Sequence, residues 1–154
     1  YCACLPHPHH LCGLSLGGIL ALQYAAEHRA RVASLVLIGA QYRMPKRLLG
    51  VHSAVFRLMP ARAFRQMGFT KQDLLRLTGS MREPDFSDAL SSISCPALIL
   101  CGGKDRTNRA AAAELASRLP DARLQTIEGT GHEINADAPA QLALALTRFW
   151  HAKN

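Results

Sequence analysis

The stretch Gly13-Leu14-Ser15-Leu16-Gly17-Gly18 decides how this chain is interpreted. A short apolar run, His10-Leu11-Cys12, precedes it, and an Ala/Leu-rich segment begins at Ile19. This order predicts a strand, a tight turn and a helix, with a serine at the turn. The glycines two positions before and after the serine allow the strand and the helix to pack closely around a strained backbone, which lifts the hydroxyl out of the sheet.

A serine in such a turn has the geometry that nucleophilic catalysis needs. Its hydroxyl is a poor nucleophile until a base can reach it, so a base must come from elsewhere in the chain. The amide of Leu16 and the first amides of the following helix point toward the place where an oxyanion would form. The same local sequence also fits a glycine-rich turn that only saves space, or a phosphate-binding loop. The rest of the chain has to distinguish these alternatives.

Composition and charge describe an ordinary globular chain. The 154 residues are 49% hydrophobic and 19% charged, and no apolar run approaches the length of a membrane span. The formal net charge of +7 is concentrated in residues 41–90, where nine Lys/Arg accompany four Asp/Glu, a net of +5. We interpret this as a basic solvated face, with anionic ligands or partners as the alternative. No nucleic-acid-binding motif accompanies the charge, so we expect no nucleic-acid partner.

The cysteines and the start of the chain bear on compartment and metal binding. Five cysteines are an odd number, and Cys12, Cys95 and Cys101 lie in or beside apolar runs, where reduced cysteine behaves as a small hydrophobe. We therefore expect a cytoplasmic protein. The Cys/His-rich start at residues 1–10 suggests a metal site, but its spacing matches no established zinc pattern, and we expect no metal and no cofactor. Because it opens on Tyr1, we interpret the chain as a fragment.

The apolar runs predict alternating strands and helices. Strands are predicted at residues 10–12, 35–38, 96–101 and 122–127, and helices at 19–29, from a cap at Thr107 or Asn108 to Pro120, and from about Pro139. Such alternation implies right-handed crossovers and therefore an α/β fold, a parallel sheet of about four strands with helices on both faces. In sheets of this kind the ligand site lies beyond the carboxyl ends of the strands.

The segment 41–90 interrupts the alternation. The pattern there loosens into short amphipathic pieces broken by prolines and glycines, and Thr70 with Asp73 is typical of a capping box. Its apolar side chains could line a pocket or pack the segment onto the main domain: Met44, Phe56, Met59, Phe64, Met67 and Phe69. We predict a core formed by residues 1–40 and 91–154, and a small helical cap insertion at 41–90.

Three motifs follow one another along the chain. They are Gly13-Leu14-Ser15-Leu16-Gly17-Gly18, Pro96-Ala97-Leu98-Ile99-Leu100-Cys101-Gly102-Gly103-Lys104-Asp105 and Gly129-Thr130-Gly131-His132-Glu133-Ile134-Asn135. Together they resemble the motifs of the α/β-hydrolase superfamily. The order nucleophile, acid, histidine also matches that superfamily. The resemblance covers nearly the whole chain from about His10. It implies a partial α/β-hydrolase fold that lacks the N-terminal strands, in a serine hydrolase of the esterase or lactonase kind.

The resemblance also implies catalytic roles. Ser15 would attack an acyl carbonyl, His132 would remove its proton and later protonate the leaving group, and Asp105 would hold the imidazole tautomer. The Leu16 amide would supply one oxyanion donor, whereas the second donor of the family comes from a loop among the missing strands. These roles imply a hydrolase of small carboxylic ester, thioester or lactone bonds that works through an acyl-enzyme intermediate on a small acyl substrate. Because no apolar run approaches the length of a membrane span, we expect no membrane partner.

Each assignment has an alternative. Asp105 could be a turn residue or a helix-start anion near Thr107, and His132 could be an ordinary loop histidine. Asp85 or Asp88 could instead supply the acid, but Asp105 is preferred because its position directly after a strand matches the family motif. The alternative for the whole chain is a non-catalytic binding module or an inactive fragment, suggested by the absent oxyanion loop and the basic segment.

Overall fold

The computed structural model describes residues 8–43 and 85–152, together with Thr70 and Gln72. Several residues singled out above therefore lie outside the described residues. They are Cys2, Cys4 and His7 at the start, Asp73 of the predicted capping box, and the Met and Phe side chains of the predicted insertion. The chain divides into two compact units, one formed by Tyr1–Tyr42 and Phe86–Asn154 and the other by Arg43–Asp85.

The described part of the first unit contains four strands and four α-helices. In chain order they are β1 (His9–Leu14), α1 (Leu16–Glu27), β2 (Val32–Ile38), β3 (Ala97–Gly102), α2 (Arg106–Arg118), β4 (Ala122–Ile127), α3 (Ile134–Asp137) and α4 (Pro139–His151). The strands form one sheet in the order β1-β2-β3-β4, and every neighbouring pair is parallel. This confirms the predicted α/β class and the parallel sheet of four strands.

Continuous apolar runs form the central strands because both faces of the sheet are covered. Leu35 and Leu37 of β2 pack in one buried cluster with residues of α1 and α2. Val36 and Ile38, which point to the opposite face, pack in a second cluster with Phe149 of α4. Successive strand residues thus alternate between two cores, as the period of a strand requires. Helices cover both faces, as predicted.

The helix boundaries differ from the prediction, most clearly at the starts of α1 and α2. Helix α1 begins at Leu16, directly after the serine, rather than at residue 19. Helix α2 is capped by Asp105, whose side chain accepts a hydrogen bond from the Asn108 amide, so the predicted cap at Thr107 or Asn108 was wrong. Asp105 is the cap because it directly precedes the helix, where its carboxylate can accept a hydrogen bond from the otherwise unpaired Asn108 amide of the first turn. None of the described helices is long and apolar enough to cross a membrane.

The glycines around Ser15 have different roles. A Cβ atom on Gly13 would overlap the backbone carbonyl of Gly17, and one on Gly18 would crowd the side chain of Ala40. A Cβ atom on Gly17 would meet no described atom within 4 Å. Among the described residues, close packing of strand and helix therefore depends on Gly13 and Gly18 and not on a contact at Gly17, the glycine two positions after the serine.

Candidate active site

The parallel register places three candidate side chains on loops at one edge of the sheet. Ser15 follows β1, Asp105 follows β3 and His132 lies on the loop after β4. At that edge Leu14 pairs with Ile38, and Gly102 pairs with Ile127, so the strands end side by side. The topology therefore directs all three loops to the edge where ligand sites of parallel sheets lie.

Ser15 has an unusual backbone conformation. Its φ of 53° and ψ of −114° make it the one non-glycine residue with positive φ among the residues that the structure describes. Such a conformation costs about 1–3 kcal/mol and persists only where the surroundings impose it. Ser15 is also the N-cap of α1, yet its side chain makes no capping hydrogen bond, although serine is among the preferred caps. The hydroxyl is therefore not used by the helix.

Asp105 and His132 are brought together because the loops that follow β3 and β4 are hydrogen-bonded to each other. The Lys104 amide donates a hydrogen bond to the Thr130 carbonyl (2.8 Å), and a Cβ atom on Gly102 would overlap the Gly131 carbonyl. This close approach leaves the side chains of Asp105 and His132 facing each other. Glycine is needed at position 102 because the two backbones are in contact there.

The imidazole of His132 is hydrogen-bonded to the carboxylate of Asp105. Nδ1 of His132 lies 2.8 Å from Oδ2 of Asp105, with the Asp105 side chain 5% exposed and the His132 side chain 39% exposed. An ionised carboxylate can only accept, so Nδ1 carries the proton and Nε2 of the neutral ring is left as a base. This pair provides a histidine in a fixed tautomer that solvent or a ligand can reach.

Burial and hydrogen bonding act in opposite directions on Asp105. Burial alone would raise its pKa, but hydrogen bonds from the Asn108 side chain, from His132 and from the Asn108 amide outweigh burial, and its pKa lies below the ordinary aspartate value. The nearby Cys101 thiol has a raised pKa, chiefly through burial and also through the negative charge of Asp105. Asp105 is therefore held ionised, while the adjacent thiol stays protonated.

Gly39 lies next to both the turn of Ser15 and the imidazole of His132. The Ser15 amide donates to the Ile38 carbonyl (2.8 Å), which places the serine turn beside the end of β2. Gly39 follows with a φ of 53°, and a Cβ atom built on it would lie 2.9 Å from Cε1 and Nδ1 of His132. The imidazole thus packs against a backbone segment to which the serine turn is hydrogen-bonded.

The Gly39→Ala substitution should impair the site more than it impairs the fold. We expect a destabilisation of about 1–2 kcal/mol from the positive φ, together with displacement of the His132 ring and a loss of about 100-fold in reactivity at Ser15. Gly129→Ala is a matched control, since Gly129 also has a positive φ (81°) but a Cβ atom there meets no described atom within 4 Å. Thermal unfolding and the rate of covalent labelling of Ser15 measure the two effects. Equal labelling rates in the two variants would show that the packing of Gly39 against His132 does not position the imidazole ring.

Two further polar residues of this region were not singled out from the sequence as members of the site. Nδ2 of Asn108 lies within 3.0 Å of both carboxylate oxygens of Asp105 and 3.1 Å from Nδ1 of His132. Nε2 of Gln41 in turn donates to Oδ1 of Asn108 at 2.9 Å. The available signal was an asparagine on the buried face of α2, a face that otherwise carries Ala112 and Leu115.

Asp88 and Asp85 were the alternative acids. Asp88 is exposed in the turn before the third strand, and Asp85 pairs with Arg43 in an isolated antiparallel bridge. The carboxylate hydrogen-bonded to His132 is that of Asp105. Within the described ranges no group of three or more His, Cys, Asp and Glu side chains is arranged to hold a metal ion.

Comparison with known proteins gives a family match. A model described as "Alpha/beta hydrolase family" matches residues 2–145 of the chain. Among curated proteins, the chain is 28% identical to a pimeloyl-[acyl-carrier protein] methyl ester esterase of Aromatoleum aromaticum, with 92% of this chain and 74% of the relative covered.

Solved structures share the fold. An esterase from Exiguobacterium antarcticum superposes with a TM-score of 0.80 at 19% identity, covering 93% of this chain and 66% of the esterase. The enol-lactonase from Burkholderia xenovorans gives a TM-score of 0.81 at 18% identity, covering 92% of this chain and 65% of the lactonase. The chain thus spans about two thirds of the length of these two structures.

Proposed function

The chain belongs to the alpha/beta hydrolase family, and we propose that within it the chain is a serine hydrolase, or the larger part of one, that cleaves small carboxylic ester, thioester or lactone bonds. The observation that carries this proposal is the 2.8 Å hydrogen bond between His132 and the buried carboxylate of Asp105. It lies beside a backbone segment bonded to the turn of Ser15, whose hydroxyl does not cap its helix.

In the proposed reaction Ser15 is the nucleophile and His132 the general base. Nε2 of His132 takes the hydroxyl proton as Oγ of Ser15 attacks the acyl carbonyl, and Asp105 stabilises the resulting imidazolium. The carbonyl oxygen becomes an oxyanion beside the Leu16 amide, at the start of α1, where helix amides lack partners within the helix. The imidazolium then protonates the leaving group, and water hydrolyses the acyl-enzyme by the reverse proton transfers.

The substrate class is proposed from the relatives. The names of the two most informative ones, a methyl ester esterase and an enol-lactonase, both refer to carboxylic esters, one open and one cyclic. We propose a small acyl compound as substrate and the cytoplasm as the compartment. Cys12 and Cys101 are free thiols, as expected in a reducing compartment.

Covalent labelling tests this function directly. We expect a fluorophosphonate to modify the folded chain at Ser15, identified by peptide mapping, because only an activated serine reacts rapidly with such a probe. His132→Ala should abolish rapid labelling, since the variant removes the base. His151→Ala is a matched control, because His151 is exposed at the end of α4.

The labelling experiment separates the possible outcomes. Labelling at Ser15 that requires His132 and not His151 would support the proposed pair of nucleophile and base. A folded sample with no labelling at Ser15, or with labelling unaffected by His132→Ala, would contradict it. Folding is checked by circular dichroism on the same samples.

A further inference from the structure

A buried amide stands behind the Asp105–His132 pair. Asn108 is 8% exposed and lies on the face of α2 that buries Ala112 and Leu115. Burying an amide without hydrogen bonds costs about 1–3 kcal/mol by mutational measures. The chain avoids this cost, because both ends of the Asn108 side chain have partners: Asp105 at Nδ2 and Gln41 at Oδ1.

The chemistry of the partners fixes which way the Asn108 amide faces. An ionised Asp105 has no proton to donate, so the NH₂ group of Asn108 must face its carboxylate. The carbonyl of Asn108 then faces Gln41, which must present its own NH₂ group, as observed. Gln41 therefore donates to Asn108 and Asn108 donates to Asp105, while His132 donates to Asp105 from the other side, so the carboxylate is the acceptor on which both sides of the set end.

We propose that Gln41 and Asn108 are positioning residues that hold the Asp105 carboxylate in the plane and orientation in which it binds His132. This inference rests on the proposed function, since it assigns the two amides a part in preparing that site. The Asn108 amide bonds both oxygens of Asp105 (3.0 and 2.8 Å), and the Asn108 backbone amide bonds Oδ1 as well (3.2 Å). These contacts leave Oδ2 aimed at Nδ1 of His132.

Gln41 acts on the Asp105 carboxylate indirectly, through its hydrogen bond to Asn108. It comes from the segment after β2, whereas Asn108 and Asp105 belong to the start of α2, so the set joins two parts of the chain that are 67 residues apart. Without the Gln41 donor, the buried carbonyl of Asn108 would lose its partner, and the amide would no longer be held against the carboxylate of Asp105. Gln41 thus anchors the carbonyl end of Asn108, whereas Asp105 fixes which end of that amide faces the carboxylate.

Isosteric substitutions separate this role from simple packing. Asn108→Asp and Gln41→Glu keep the volume of each side chain but replace the donating group by a carboxylate oxygen. In Asn108→Asp, two carboxylates face each other, and one of them must take up a proton or turn away. In Gln41→Glu, a carboxylate faces the carbonyl of Asn108, and the repulsion between these acceptors displaces the amide from its position on Asp105. We expect both variants to slow labelling of Ser15 by about 10- to 100-fold, as a misplacement of about 1 Å can do.

The controls are chosen from the same surroundings. Thr107→Ala lies on the same turn of α2, where Thr107 is exposed, and should leave labelling unchanged. Gln23→Glu alters an exposed glutamine of α1 that donates to Glu27 (3.0 Å), so it changes charge and one hydrogen bond away from the site. If Asn108→Asp and Gln41→Glu label Ser15 as fast as these controls, the proposal is wrong.

A spectroscopic measurement tests the inference without requiring activity. The proton on Nδ1 of His132 should give a resonance far downfield of the backbone amides, assigned by its absence in His132→Ala. We expect it to move or broaden in Asn108→Asp and Gln41→Glu, and to stay unchanged in Thr107→Ala. An unchanged resonance in the first two variants would overturn the proposal even if the chain shows no labelling. Conversely, labelling of Ser15 that is independent of His132 would contradict the proposed function while this resonance still reported on the two amides.

A double-mutant cycle measures whether the two amides act as one unit. Since Gln41 is proposed to act through Asn108, combining Gln41→Ala with Asn108→Ala, which add no new charge, should lose no more than Asn108→Ala alone, both in labelling rate and in the shift of the resonance. Losses that multiply would mean that the two residues act independently, and the proposed dependence of Gln41 on Asn108 would be wrong.

Discussion

Ser15→Ala should reduce the hydrolysis of a reactive ester by about a million-fold, the loss measured when the nucleophile of another serine hydrolase is removed. The reason is chemical, because alanine offers no oxygen to form the acyl-enzyme. The fold should be little affected, since Ser15 makes no capping hydrogen bond that the substitution could remove. The measurement is kcat/KM for an activated ester, compared with that of the unaltered chain.

A second substitution at the same position separates chemistry from strain. Ser15→Gly also removes the hydroxyl, but glycine accepts a φ of 53° without the steric cost that alanine and serine bear. We expect Ser15→Gly to be as inactive as Ser15→Ala. Its free energy of unfolding should be about 1 kcal/mol larger than that of Ser15→Ala, so it should unfold at a higher temperature. Retained ester hydrolysis in either variant would remove Ser15 from the proposed mechanism.

Asp105→Asn should lower kcat by about 10,000-fold, the effect of the same exchange in a known triad. The new amide would donate to Nδ1 of His132 and move the imidazole proton to Nε2, where it blocks proton transfer from Ser15. The Asn108 amide, 3.1 Å from Nδ1, could donate to the same nitrogen and would reinforce the wrong tautomer. The variant therefore has two groups that favour the inactive form of the ring.

The effect of Asp105→Asn on stability is expected to be smaller than that of Asp105→Ala. An asparagine keeps an oxygen that can accept from the Asn108 amide and cap α2, whereas alanine removes the cap at a cost of about 0.5–2 kcal/mol. Kinetics and thermal unfolding of both variants separate the two roles. A loss of activity in Asp105→Asn that tracked its loss of stability would argue that Asp105 serves only the helix.

Much of the sheet was predictable because the strands are buried on both faces. The run around Leu35 to Ile38 is apolar at every position, and only a central strand of a covered sheet requires this. Boundaries were less predictable. Helix α3, with four residues, is too short to show a helical period, and the early start of α1 depends on the serine turn rather than on the apolar pattern.

The parts of the site that the sequence did not predict depend on contacts distant along the chain. Gly39 comes directly after the strand predicted at residues 35–38, and only the fold places it against His132. Asn108 was interpreted as a possible helix cap. Its hydrogen bond to Gln41 could not be predicted, because the two residues are 67 positions apart in the sequence. Conversely, the positions of Ser15, Asp105 and His132 on loops after β1, β3 and β4 were predictable, because the apolar runs that form these strands are local in the sequence.

Asp105 has two structural roles, because the same carboxylate caps α2 and binds the imidazole of His132. Oδ1 of Asp105 holds the first turn of the helix, and Oδ2 holds His132, so one titration governs both. Because its pKa is lowered, Asp105 contributes stability that is present above the pKa of an unfolded aspartate and is lost as the pH falls through the folded value. Acid should therefore fray the beginning of this helix and release the imidazole in the same step, so that a loss of function and a local melting become one event.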